Sequence, residues 1–263
     1  MQRVAQCINL LGEFCGKRDV DALTPQALQK KYGFDKADVM VLFGGSIPEG
    51  GRVLAQAMKD GVAKHYIIVG GEGHTTQALR DKMHAAYPDV ETAGLPEAQV
   101  FAQYLEREHG LKADALECKS TNCGNNITYL LDLLKEKGIA FDSIILTQDA
   151  SMQRRMEAGL RKYAGDAKCI INYAAYQAEV TVKDGKLAFA HDIWGMWDME
   201  RYVSLLLGEV PRLTDDENGY GPKGKDFIAH VDIPEDVQSA FAELTTRYAH
   251  LVREANPAYA SKQ

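Results

Sequence analysis

Between residues 38 and 173, short, mostly apolar runs alternate with longer stretches whose apolar residues recur every three or four positions. The runs cover 38–43, 65–69, 115–118, 143–147 and 168–173. Runs this short, without polar alternation, suit parallel strands buried on both faces. The stretches between them predict helices over 51–63 and 76–86, from Pro96-Glu97 onward, through Ile127, Leu130, Leu131 and Leu134, and from a Ser151 cap to Tyr163. Strands alternating with helices predict an α/β fold, an open and mainly parallel sheet with right-handed crossovers.

Both ends of the chain read differently. Val4, Ile8, Leu11 and Phe14 have helical spacing, and Gly16 ends that helix. Thr24-Pro25 opens a second short helix, and both are expected to pack outside the sheet. After Tyr173, Val180 and Val182, Asp184-Gly185, then Leu187 and Phe189 predict a hairpin with a type I′ turn. A helix from about Met196 to Leu207 is expected to stop at Gly208. Residues 214–226 are polar and glycine-rich, an ordered loop or a lid. Pro234-Glu235 starts a last helix, and fraying is expected from Asn256 on. The chain thus divides into an N-terminal helical segment, 1–35, a sheet-bearing core, 36–175, and a smaller C-terminal α+β segment, 176–263.

A net charge of −7 and a pI near 5.5 argue against a nucleic-acid module and give no attraction to anionic membranes. No apolar run approaches the roughly 20 residues of a membrane span. Met1 to Phe14 lacks the layout of a signal peptide, so a cytoplasmic location is expected. The five cysteines are scattered and include no C-x-x-C pair, which suits reduced thiols and neither a disulfide framework nor structural zinc.

Ligands of open α/β sheets bind beyond the carboxyl ends of the strands. Four loops leave those ends, and each is enriched in small, hydroxyl or amide residues. The first holds Gly44, Gly45 and Ser46. The second holds Gly70, Gly71, Gly73 and His74. The third, 120–126, holds Ser120, Thr121, Asn122 and Asn126, a density of polar groups beyond what one helix cap needs. The fourth, 147–151, holds Asp149. Together they predict one polar site for a small-molecule ligand. Gly70-Gly71-x-Gly73 could form a backbone nest for an anion, although neither glycine loop is G-x-G-x-x-G or a P-loop. His74 is a candidate general acid or base, or a hydrogen-bonding fixture. Glu117 could hold a ribose diol or orient the Ser120 loop. Arg154 and Arg155, in a first helical turn, oppose the helix dipole and so answer an anion, from a ligand or a side chain, or form an exposed pair. Trp194 and Trp197 could wall a base or belong to the core.

Residues 120–126 (Ser-Thr-Asn-Cys-Gly-Asn-Asn), 148–155 (Gln-Asp-Ala-Ser-Met-Gln-Arg-Arg), 200–213 and 219–232 resemble the YdcF family, part of the wider SanA/ElyC/YdcF group of bacterial proteins. The resemblance covers most of the chain. It implies a Rossmann-like core that binds S-adenosyl-L-methionine, and it implies no known reaction. Of that group's Glu-x-x-Ser-x-Asn-Thr-x-Glu-Asn motif, Glu117, Ser120, Asn122 and Asn126 fit. Asn125 stands where the group has Glu, and Ser151 about where it has His, so the group's acid–base pattern is incomplete here. The leading expectation is an S-adenosylmethionine-binding protein or methyltransferase of unknown acceptor. The alternative is a hydrolase or transferase acting on a phosphorylated or nucleotide-like small molecule, with His74 as base and the arginine pair as anion clamp. A third is a ligand sensor whose segment 176–263 closes over the site.

Overall fold

The computed structural model describes residues 1–252. Five strands form one sheet: β1 (Ala37–Phe43), β2 (Ala63–Val69), β3 (Ala115–Glu117), β4 (Ser143–Thr147) and β5 (Cys169–Asn172). A hairpin of β6 (Val180–Lys183) and β7 (Lys186–Phe189) lies apart. The helices begin with α1 (Gln2–Cys15), α2 (Pro25–Tyr32), α3 (Glu49–Asp60), α4 (Thr76–Ala86) and α5 (Glu97–His109). They continue with α6 (Cys123–Glu136), α7 (Gln153–Ala164), α8 (Met199–Leu213) and α9 (Glu235–Arg247).

The large sheet has the order β3-β2-β1-β4-β5, and all its pairings are parallel. It is a Rossmann-like open sheet with helices on both faces. Central β1 pairs Val39 with His65 of β2 on one side and Ile144 of β4 on the other. Alternate residues point to opposite faces. Met40, Leu42, Ile68 and Ile145 share a core with Leu54 of α3 and Phe101 and Tyr104 of α5. Val39, Val41, Phe43, Ile67 and Leu146 share another with Ile127 and Leu130 of α6 and Leu160 of α7. Both faces are covered, which is why the strands read as mostly apolar runs.

Several boundaries depart from the sequence pattern for local reasons. The helix predicted over 51–63 stops at Asp60, because Gly61 adopts a left-handed φ of 67° and Val62 turns toward β2. Ser151 does not cap α7. Met152 occupies that position without a side-chain cap, and the Ser151 hydroxyl donates to Asp149 Oδ1 instead. Gly208 does not end α8, which runs on to Leu213 through Pro211. A mid-helix glycine costs only about 1 kcal/mol, and Leu206, Leu207, Val210 and Leu213 are buried on either side of it. The β6–β7 turn has positive φ at Asp184 (51°) and Gly185 (75°), as a type I′ turn requires.

The N-terminal helix lies deeper than the pattern implies. In α1, Ile8 and Leu11 have no exposed surface, and the helix packs on α8, α9 and β6. Helix α1 and residues 176–252, remote in sequence, therefore meet in one apolar cluster. Asn256, where fraying was expected to begin, lies outside the described residues.

Candidate functional site

The crossovers leave β1 and β4 in opposite directions, toward β2 and β5. The sheet's topological switch point therefore lies between the carboxyl ends of β1 and β4, where open α/β sheets hold their ligands. A cavity of about 500 Å³ opens there. All four strand-end loops line it, through Gly44, Gly45 and Ser46, through Gly71, Gly73 and His74, through Ser120, Thr121, Asn122 and Asn126, and through Gln148, Asp149 and Ser151. The far wall comes from the C-terminal segment, with Arg201, Leu205, Gly208 and Arg212 on one face of α8, and Tyr220 and Phe227 after it.

The loops are held by their own polar groups. Glu117 is buried, and Oε1 accepts from the Ser120 N–H at 3.1 Å. It does not line the cavity, so of its two expected roles the geometry gives it the orienting one. The Ser120 hydroxyl accepts from Gly71 N–H at 3.2 Å. Gly70 N–H donates to Glu117 O, and Gly73 N–H to Thr76 Oγ1. All three N–H groups of the expected anion nest are thus engaged by protein acceptors, and that nest is filled. Gly70 itself is outside the lining. A β-carbon on Gly71 would sit 2.2 Å from Ser120 O, so this glycine serves loop-to-loop packing. The same atom on Gly73 would meet nothing within 4 Å. Beyond β1, the N–H groups of Gly45 and Ser46 donate to no described residue.

The fourth loop is pinned by Gln153. Its Oε1 accepts from Gln148 N–H at 2.9 Å, while Nε2 donates to Leu146 O and to Asn172 Oδ1. Gln148 is 1% exposed, and its Nε2 has no partner among the described residues. Asp149 Oδ1 accepts from Ser151 N–H (2.9 Å), the Ser151 hydroxyl (2.7 Å) and the Tyr176 hydroxyl (2.8 Å). Burial outweighs these bonds and holds the carboxyl above the usual aspartate range. Glu97 also lines the cavity, takes the Thr76 hydroxyl at 2.8 Å and is likewise pushed up by burial.

The arginine pair divides. Arg155 reaches the cavity but meets Glu209 through two bonds, of 2.6 and 3.0 Å, with Glu209 buried and Arg155 partly so. Its anion is a side chain of this protein. Arg154 turns away to the Phe14 carbonyl and lies over the Phe14 ring, outside the cavity. The tryptophans divide too. Trp194 packs with Tyr87 and Tyr104, whereas Trp197 faces the cavity under the Lys82 ammonium. Asn122 is the N-cap of α6, accepting from Asn125 N–H. Asn126 faces the cavity, and its amide bonds no described residue. Glu97, Arg201 and Arg212 were not among the site residues expected from the sequence. Arg201, Leu205, Gly208 and Arg212 do recur at helical spacing, which was the available signal.

No family model matches the chain. Among solved structures it is similar to E. coli tRNA N6-threonylcarbamoyladenosine dehydratase, TcdA. The identity is 13%, over 86% of this chain and 95% of that one, with a TM-score of 0.34. A likeness so distant carries no weight for function.

Proposed function

We propose that the switch-point cavity binds S-adenosylmethionine, with methyl transfer to a second small molecule as the reaction it is built to align. The observation that carries this reading is the convergence of all four strand-end loops on one cavity of about 500 Å³, a size suited to a drug-sized ligand. The chemistry of its walls supports it. Ile127, Met156, Phe227 and Ile228 offer an apolar surface for an adenine ring. Asn126 offers an amide donor and acceptor, and the N–H groups of Gly45 and Ser46 suit the carboxylate of the methionine part. Methyl transfer asks for alignment more than for a dedicated acid, in keeping with a site where Ser151 stands about where the wider group has histidine. Among the described residues, no helix is long and apolar enough to cross a membrane.

One observation favours the phosphorylated or nucleotide-like alternative. Arg201 and Arg212 line the cavity and, among the described residues, face no carboxylate within ion-pair distance. Calorimetric titration with S-adenosylmethionine, ATP and NAD separates the two readings. Selective saturable binding of S-adenosylmethionine is expected. Asn126→Leu should weaken it about tenfold, or roughly 1.4 kcal/mol, with the melting temperature unchanged. ATP binding without S-adenosylmethionine binding would transfer the site to the alternative.

A further inference from the structure

The acidic groups of the cavity are not equivalent. Glu72 pairs with Arg80 and Glu209 with Arg155. Glu97 is wedged behind the first loop, its Oε2 lying 2.5 Å from where a β-carbon on Gly44 would be. Asp149 differs from all three. Three donors hold Oδ1 on the protein side, and Oδ2 accepts from no described residue. The residue lines the cavity and has no cation within ion-pair distance among the described residues. Beside it, Gln148 Oε1 accepts from Asp149 N–H at 2.6 Å and lies 3.4 Å from the β-carbon position of Gly45. Acceptor oxygens and an absent side chain thus meet at one spot on the wall.

A carboxylate withdrawn from water without a counter-charge is costly, and a ligand cation that arrives beside it offsets that cost. We propose that Asp149 Oδ2 reads the positive charge of the ligand, so that the site discriminates the sulfonium of S-adenosylmethionine from the uncharged thioether of S-adenosylhomocysteine. This rests on the reading of the preceding subsection and specifies which atom senses charge. In a methyl transfer the charge leaves with the methyl group, so the same carboxylate favours loading of the reactant and release of the product.

The surroundings of Asp149 permit this role. Tyr176, after β5, and Tyr202, on α8, are pushed well above the ordinary tyrosine range by burial and stay neutral. Glu209 of α8 is matched by Arg155. Lys82 of α4 acts on Asp149 at longer range, with its ammonium held by Ser46 O (3.1 Å) and Gly195 O (2.7 Å).

The test is titration of the full chain with S-adenosylmethionine and with S-adenosylhomocysteine, in wild type and Asp149→Asn. Wild type should prefer the sulfonium by about tenfold or more, and Asp149→Asn should reduce the preference to about twofold with S-adenosylhomocysteine affinity retained. An undiminished preference in Asp149→Asn, or no preference in wild type, overturns the inference and leaves the cavity reading standing. Failure of wild type to bind either nucleoside overturns both. A second arm needs no Asp149 variant. Burial holds the Asp149 carboxyl above its ordinary range, so acidification that protonates it should shrink the preference in wild type and in His74→Gln alike. A ratio flat with pH overturns the inference even if Asp149→Asn does not fold.

Discussion

Asn122 and Asn126 stand one helical turn apart and do different things. The first caps α6 through Asn125 N–H, and the second presents its amide to the cavity. Asn122→Ala should therefore cost about 1 kcal/mol in urea unfolding, a loss of stability that must be measured before any binding defect is ascribed to the ligand. Arg155 and Glu209 are a largely buried pair, and removing one partner leaves an uncompensated charge. Arg155→Ala is expected to cost about 3–5 kcal/mol, with Arg155→Met combined with Glu209→Leu costing clearly less in the same assay. For Glu97 the folded carboxyl is held above its ordinary range. Such a group contributes stability while protonated and loses it as pH rises through the folded pKa. Glu97→Gln should then melt above wild type at neutral pH, with the gain vanishing near pH 4. The anion that answers Arg155 was illegible in the sequence because it lies 54 positions away. What was legible was the electrostatic oddity of two cations in a first helical turn.

The strand-end loops were legible as a group because each element hands its polar residues to the same end of the sheet. Their division of labour was not, since a sequence does not say which glycine faces a ligand and which faces another loop. Gly71→Ala would drive a methyl group into the Ser120 carbonyl, a backbone atom that cannot swing aside. It should destabilise by roughly 2 kcal/mol and disturb binding with it. Gly73→Ala, which meets nothing, should stay within about 0.5 kcal/mol of wild type in thermal unfolding. Strand positions could be read because burial on both faces demands continuity. The end of α8 could not, because the buried residues that carry the helix past Gly208, Val210 and Leu213, join an apolar cluster with α1, which is remote in sequence.

The molecule's second half contributes a wall whose loop is tethered by charge. Asp215 accepts from Lys223 N–H (2.8 Å) and pairs with His230 at 2.6 Å, while His230 also meets Asp232. These bonds raise the His230 pKa and lower that of Asp215. The histidine's share is fully present below its ordinary pKa of about 6.5 and is lost as pH rises through the folded value. The aspartate's share is present above about pH 4 and is lost as pH falls through its own lowered value. Limited proteolysis within 214–226 should accordingly be slower near pH 6 than near pH 8, and His230→Ala should remove that difference.

The meeting of α1 with α8 and α9 also bears on how the protein is made. Arg3 and Glu243 bond at 2.9 Å across 240 positions of chain. On a ribosome the apolar stripe of α1 emerges long before the helices that cover it. It must stay uncovered, or shielded by a chaperone, while the sheet assembles behind it. The cavity wall docks against that same helix, so a chain cut short before residue 199 yields strands and loops around an open groove. The complete wall of the cavity is therefore acquired late in synthesis.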